Sequence, residues 1–239
     1  MERHFEQELE QLKSKLLAMS ALVESAVYRS ITAVVQKDRK LAEEVLQNEA
    51  RVNRMEIEID DQAIRLLALQ QPMAGDLRLI TAAIKINTDL ERMGDLAVNI
   101  AKRALSLMDE PDVPPLIDIP HIAALVQNMV RKSLDAFVSK DAALAQSVLS
   151  SDDAVDALRS AFSHELISFM QREPNHIPQA MSLLAIVRHL ERVADHATNI
   201  AEDVLFYVKG IDVRHRAEVV AKGESPGLEP PKPGPSDGL

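Results

Sequence analysis

Cysteine is absent from the 239 residues, which excludes disulfides, thiolate-held metals and thiol nucleophiles. Any metal bound by this chain is held by oxygen or imidazole. Tryptophan is also absent, aromatics make up 3% of residues, and glycine occurs only seven times. That leaves little strand-forming material and little room for glycine-rich phosphate loops. An excess of positive charge is missing too. The formal net charge of −10 repels a phosphate backbone, and no Lys and Arg run interleaved with aromatics offers a local exception, so nucleic-acid binding is not expected. No stretch approaches the roughly 18 apolar residues of a membrane span. The start, Met1-Glu2-Arg3-His4-Phe5-Glu6, is charged where a signal peptide would be apolar, and the expected location is the cytoplasm.

Ala, Leu, Ile, Val, Glu, Gln and Met dominate the first two hundred positions, and most of them are helix formers. Breakers cluster at Gln71-Pro72-Met73-Ala74-Gly75, from Pro111 to Pro120, and at Glu173-Pro174-Asn175-His176-Ile177-Pro178. The helices between them must therefore be long. Asp38 and Asp141 each follow a lysine and precede a helical pattern, as N-cap residues do. The spacing predicts six helices over 5–36, 38–70, 76–109, 118–139, 141–171 and 178–209. The close of the chain, Gly223 to Pro235, is too rich in Pro and Gly to bury the surface that ordering would require. A disordered tail over 217–239 is expected.

The chain repeats itself. Leu90-Glu91-Arg92-Met93-Gly94-Asp95 returns as Leu190-Glu191-Arg192-Val193-Ala194-Asp195 at an offset of 100, and Lys37-Asp38, Leu41-Ala42 and Val45-Leu46 return at an offset of 103 as Lys140-Asp141, Leu144-Ala145 and Val148-Leu149. Each copy holds three helices separated by short turns, which pack most simply as an antiparallel three-helix bundle. The expected fold is all-α: two tandem pseudo-symmetric bundles over 1–112 and 113–216, together an elongated rod. Leu79, Ala83, Ile86, Leu90, Met93, Ala97, Ala101 and Ala104 fall on one stripe of the third helix; that stripe reads as core.

Glu91 and Asp95 stand four residues apart on one helix face, as do Glu191 and Asp195. Like charges at that spacing repel by about 0.2–0.5 kcal/mol, and a cation between them would compensate. A further pair, Glu56 and Asp60, sits before the Pro72 turn at about the height of Glu91 on the returning helix, so the two pairs can converge. The aligned residues of the second copy are Arg159 and Ser163, with Asp152 and Asp156 one turn earlier as the only substitutes. Oxygen ligands favour hard ions such as Mg²⁺, Mn²⁺, Ca²⁺ or iron, and ligand type alone does not choose among them. The bland alternative is that Arg92 and Arg192 pair with Asp95 and Asp195 on a solvated face. His189 and His196 flank the second motif and read as surface residues. The Glu-x-x-His ligand pair of ferritin-like proteins occurs only at Glu173-Pro174-Asn175-His176, across a turn, and no catalytic constellation is present.

The duplicated Leu-Glu-Arg-x-x-Asp, together with Gln71-Pro72, Asp76-Leu77-Arg78-Leu79 and Tyr207-Val208-Lys209-Gly210, resembles the PhoU family over about residues 1–216. The resemblance implies paired three-helix bundles with bound divalent or trivalent metal ions (Mg, Mn, Fe or Zn) on Glu91, Asp95, Glu191 and Asp195, with Glu56 and Asp60 fitting the same pattern. It also implies a non-enzymatic, homodimeric negative regulator of phosphate uptake and of the phosphate-starvation response. Such a protein acts between a phosphate ABC-transporter ATPase and a sensor histidine kinase, peripheral to those membrane complexes. Two other readings stay open on the residues alone: a metal-dependent phosphohydrolase and a structural helical dimerisation module.

Overall fold

The structure, a computed structural model, describes residues 2–111, 113, 114, 117–211 and 213. The expected tail over 217–239 lies outside the described residues. The chain forms α1 (Glu2–Gln36), α2 (Arg39–Gln70), α3 (Ala74–Met108), α4 (Ile119–Ser139), α5 (Ala142–Leu149), α6 (Asp152–Arg172), a 3₁₀ turn (Pro174–His176) and α7 (Ile177–Lys209). Helices α1, α2 and α3 pack on one another as the first bundle. In the second, α4, α5 and α6 pack against α7. No strand occurs among the described residues.

The caps fall where the sequence places them. Asp38 accepts from Leu41 N, and Asp141 from Ala143 N and Leu144 N. The lysine before each lies in the left-handed region, with φ 53° at Lys37 and 54° at Lys140, so the chain reverses there within two residues. Removing the cap through Asp141→Ala should cost about 1 kcal/mol, read as a lower urea midpoint. Lys140→Gly should be neutral or stabilising by up to about 1 kcal/mol, because glycine adopts that φ without strain.

One expected helix, 141–171, is two. α5 stops at Ser150 and α6 resumes at Asp152. Serine hydroxyls explain the break: Ser147, Ser150 and Ser151 donate back to the carbonyls of Leu144, Gln146 and Ser147 at 2.7, 3.2 and 2.9 Å, competing with the helical ladder. Asp152 and Asp153 then supply the negative charge that suits a new helix start.

The expected rod is as long as one helix and two bundles wide. α3 and α7 run antiparallel along one another: Arg78 meets the Tyr207 carbonyl, Lys85 meets Asp203, Asp89 meets His196, and Gln179 meets Glu110. Ile86, Leu90, Met93, Ala97, Leu190, Val193, Ala197 and Ile200 are enclosed in a core that continues from one bundle into the other. α1 was not expected to approach a membrane span, yet it is long enough to cross a bilayer and carries an 18-residue window of mean hydropathy 1.2. Its apolar residues Leu12, Leu16, Met19 and Val23 have no solvent exposure, so here that stripe is core packed on α2 and α3.

Candidate functional site

The carboxylates lie in two grooves, one between α2 and α3 and one between α6 and α7. In the first, Glu91 is half-buried and its carboxyl is pushed above the usual range, chiefly by loss of hydration and then by the negative charges of Asp95 and Glu56. Asp60 is tied in by Asn87, whose amide donates to its Oδ1 at 2.8 Å and to the Glu56 carbonyl at 2.9 Å. Asn87 is fully buried, and its own Oδ1 has no partner. Of the expected convergence of Glu56 and Asp60 on Glu91 and Asp95, the structure shows Glu56 near enough for its charge to act on Glu91 and Asp60 held by Asn87. Gly94 leaves room for this: a Cβ there would lie 3.2 Å from Val52 Cγ1, so α2 and α3 approach closely beside the acids.

In the second groove Arg159 donates to Glu191 Oε1 at 3.2 and 3.0 Å. This contact is the repeat equivalent of the Glu56 and Glu91 juxtaposition, with an opposite charge in place of a like one. The substitutes Asp152 and Asp156 do reach the motif. Asp152 accepts from Thr198 Oγ1 at 3.3 Å and is raised by burial and by Asp156. Asp195 is raised further, from 3.8 to about 6, by lost hydration first and then by Glu191, Asp152 and Asp156, with His196 opposing.

That shift has a sign. A folded-state carboxyl above its unfolded value favours the protonated protein, so its contribution to stability is present below about pH 4 and lost as the pH rises to about 6. Asp195→Asn should flatten this part of the Tm-against-pH curve, measured without added divalent ions. A curve identical to that of the wild type would place Asp195 in bulk-like water.

Subtracting the repeat offset of 103 from Asp152 and Asp156 gives Glu49 and Asn53, which line a small crevice with Gly94, Asp95 and Val98. Sequence reasoning missed these two, along with Asn87 and Thr198, although the offset alone could have found Glu49. Asn99 and Asn199 are exposed, as the surface of the motif suggests. Both histidines depart from the expected surface placement. His189 is half-buried, its ring deprotonated more readily through burial and through Arg192, Arg103 and Arg188. His196 is buried and bonds through Nδ1 to Asp89 Oδ1 at 2.7 Å, which also accepts from Asn199 at 3.2 Å.

The donor chemistry in both grooves suits a hard cation: oxygen only, with like charges in excess and a buried amide oxygen unpaired beside the first. As the side chains stand, no three His, Asp or Glu groups among the described residues are close enough to hold one ion. The acids are gathered on facing helices without converging on a point.

The model of the PhoU domain matches twice, over residues 16–104 and 119–204, and the two matches cover the two bundles. The chain belongs to the PhoU family. A PhoU homolog of Pseudomonas putida is 43% identical over 214 residues, 89% of this chain and 84% of that protein. One from Aquifex aeolicus is 39% identical, covering 91% and 98%. Both are named as accessory proteins of phosphate-specific transport, and neither as an enzyme. Among solved structures, PhoU from Pseudomonas aeruginosa superposes with a TM-score of 0.84 at 41% identity, covering 87% of this chain and all of the other. The phosphate transport regulatory protein PhoU of Streptococcus pneumoniae gives 0.78 at 31%, covering 87% and 99%. The PhoU fold therefore accounts for both bundles and for the seam between them.

Proposed function

We propose that this chain is the accessory regulator of a phosphate uptake system, a cytoplasmic homodimer that restrains uptake and the phosphate-starvation response when phosphate is plentiful. The observation that carries this reading is the pair of PhoU domain matches spanning both bundles, with relatives above 40% identity named for phosphate-specific transport. In this role it is an adaptor: it docks on the transporter ATPase and on a sensor histidine kinase, and biases them by binding one of their states more tightly than the other.

Hard metal ions belong to the same proposal. Glu56, Asp60, Glu91 and Asp95 would hold one group of ions, and Asp152, Asp156, Glu191 and Asp195 the other. A bound cation would supply the positive charge that lets crowded carboxylates stay ionised. The residues themselves do the positioning: Asn87 fixes Asp60 against α3, and Arg159 already neutralises part of the charge on Glu191, so the second group needs less added charge than the first.

The test is genetic. Deleting the gene in its host should raise alkaline phosphatase in phosphate-rich medium, and the wild-type copy should reverse this. Failure of Glu91→Ala/Asp95→Ala to complement would tie repression to the first groove, and unchanged phosphatase in the deletion would overturn the regulatory reading.

A further inference from the structure

Two sequence motifs take no part in the carboxylate grooves, and the structure brings them together. Asp76-Leu77-Arg78-Leu79 opens α3 and Tyr207-Val208-Lys209-Gly210 closes α7; Arg78 Nε reaches the Tyr207 carbonyl at 3.4 Å. Between them is a cavity of about 290 Å³, walled also by Leu9 and Lys13 of α1 and by Lys140 at the end of α4. Three cations from three separate helices line it, against the single carboxylate of Asp76. In a chain of net charge −10 this is a local reversal of sign.

We propose that this cavity binds a small, multiply charged oxyanion of the phosphate type. The proposal is independent of the regulatory reading, since it concerns binding by the purified protein. Each cation is positioned by the fold. Arg78 spends only its Nε on α7, and its Nη1 lies 3.8 Å from where a Cβ on Gly210 would stand, so a residue without a side chain keeps the guanidinium uncovered. Lys140 sits 5.6 Å over the Tyr207 ring, which Phe137 supports from 6.2 Å. Lys13 is half-shielded and shared with Glu10 at 3.2 Å, a carboxylate that is itself largely in solvent.

The helix ends do not favour an anion. One positive end, that of α3, and two negative ends, those of α4 and α7, border the cavity, so the three side-chain cations set the sign against the backbone. Gly75, Asp76 and Lys140 of the cavity lining are exposed to solvent. The space corresponds to about ten water molecules. That admits orthophosphate with its water, or pyrophosphate, and makes the guanidinium the fork that reads the oxygens.

Isothermal titration of the full-length protein with orthophosphate, pyrophosphate and ADP, in buffer stripped of divalent ions, tests this. Stripping silences any contribution from the carboxylate grooves. Saturable binding of at least one of these anions is expected. Arg78→Gln should weaken it about tenfold or more, the value of a charge-assisted hydrogen bond. Lys140→Gly should weaken it in the same direction while leaving Tm unchanged or higher, because its backbone favours glycine. Asp76→Asn should tighten it. Binding of the inorganic ions without ADP identifies free phosphate species as the source. Binding of ADP alone identifies the phosphoryl end of a larger molecule. No saturable heat with any of the three, or unaltered affinity in both the Arg78 and the Lys140 variants, overturns the proposal.

Discussion

His196→Leu should destabilise the protein by about 3 kcal/mol, seen as a marked fall in the urea midpoint with the slope unchanged. The imidazole is the main partner of Asp89, both side chains are about nine-tenths enclosed, and the contact joins α3 to α7 at 2.7 Å. Removing it leaves a buried carboxylate with only the 3.2 Å bond from Asn199. The cost arises from that stranded charge, so replacing both groups by apolar residues should recover most of it. Asp89→Leu/His196→Leu is the informative partner, because the repeat already places Leu96 at the position equivalent to His196. A single His196→Leu variant as stable as the wild type would mean that Asp89 is reached by water in solution.

The second large effect is on metal response. If the carboxylate grooves bind cations, a hard divalent or trivalent ion at a hundred times its Kd should stabilise the protein by about 2.7 kcal/mol, which for a chain of this size is a rise in Tm of about 5–10 °C. Neutralising four carboxylates, Glu91→Gln/Asp95→Asn/Glu191→Gln/Asp195→Asn, should abolish the rise. The same variant should lose little stability in metal-free buffer, since lost hydration first and like charge second disfavour the ionised forms of Glu91 and Asp195, and the part-exposed Arg159 and Glu191 pair is the one favourable contact removed. This separates ligand loss from misfolding. A wild-type Tm that ignores Mg²⁺, Mn²⁺, Zn²⁺ and Fe³⁺ alike would remove metal from the proposed mechanism while leaving the regulatory reading to the phosphatase assay.

Helix limits and the duplication were legible because they rest on local chemistry: proline, an N-cap aspartate and a repeated motif act within a few residues of themselves. The break at Ser150 was not, because isolated serines are ordinary in helices and only together do Ser147, Ser150 and Ser151 turn three hydroxyls onto carbonyls of one helical turn, those of Leu144, Gln146 and Ser147. Within the candidate site, the motif acids on α3 and α7 could be read directly, and the convergence of Glu56 with Glu91 followed from the height of the turn. What could not be read was the choice of partner across a groove. Asp152 meets Thr198 and Arg159 meets Glu191 because α6 runs antiparallel to α7 in one register, and register is a property of packing. The burial of His196 belongs to the same class, since nothing near it in sequence announces that Asp89, 107 residues earlier, will face it.

The antiparallel seam of α3 and α7 also has a cost during synthesis. When the ribosome has released the first bundle, the face of α3 that will meet α7 has no cover, and about a hundred further residues must be made before it does. At about 5–20 residues per second that interval is roughly 5–20 s. For that time the nascent chain shows a helical groove containing Asp89 and Lys85 without His196 and Asp203 opposite them, a surface suited to transient capture by a chaperone or by a finished copy of the same protein.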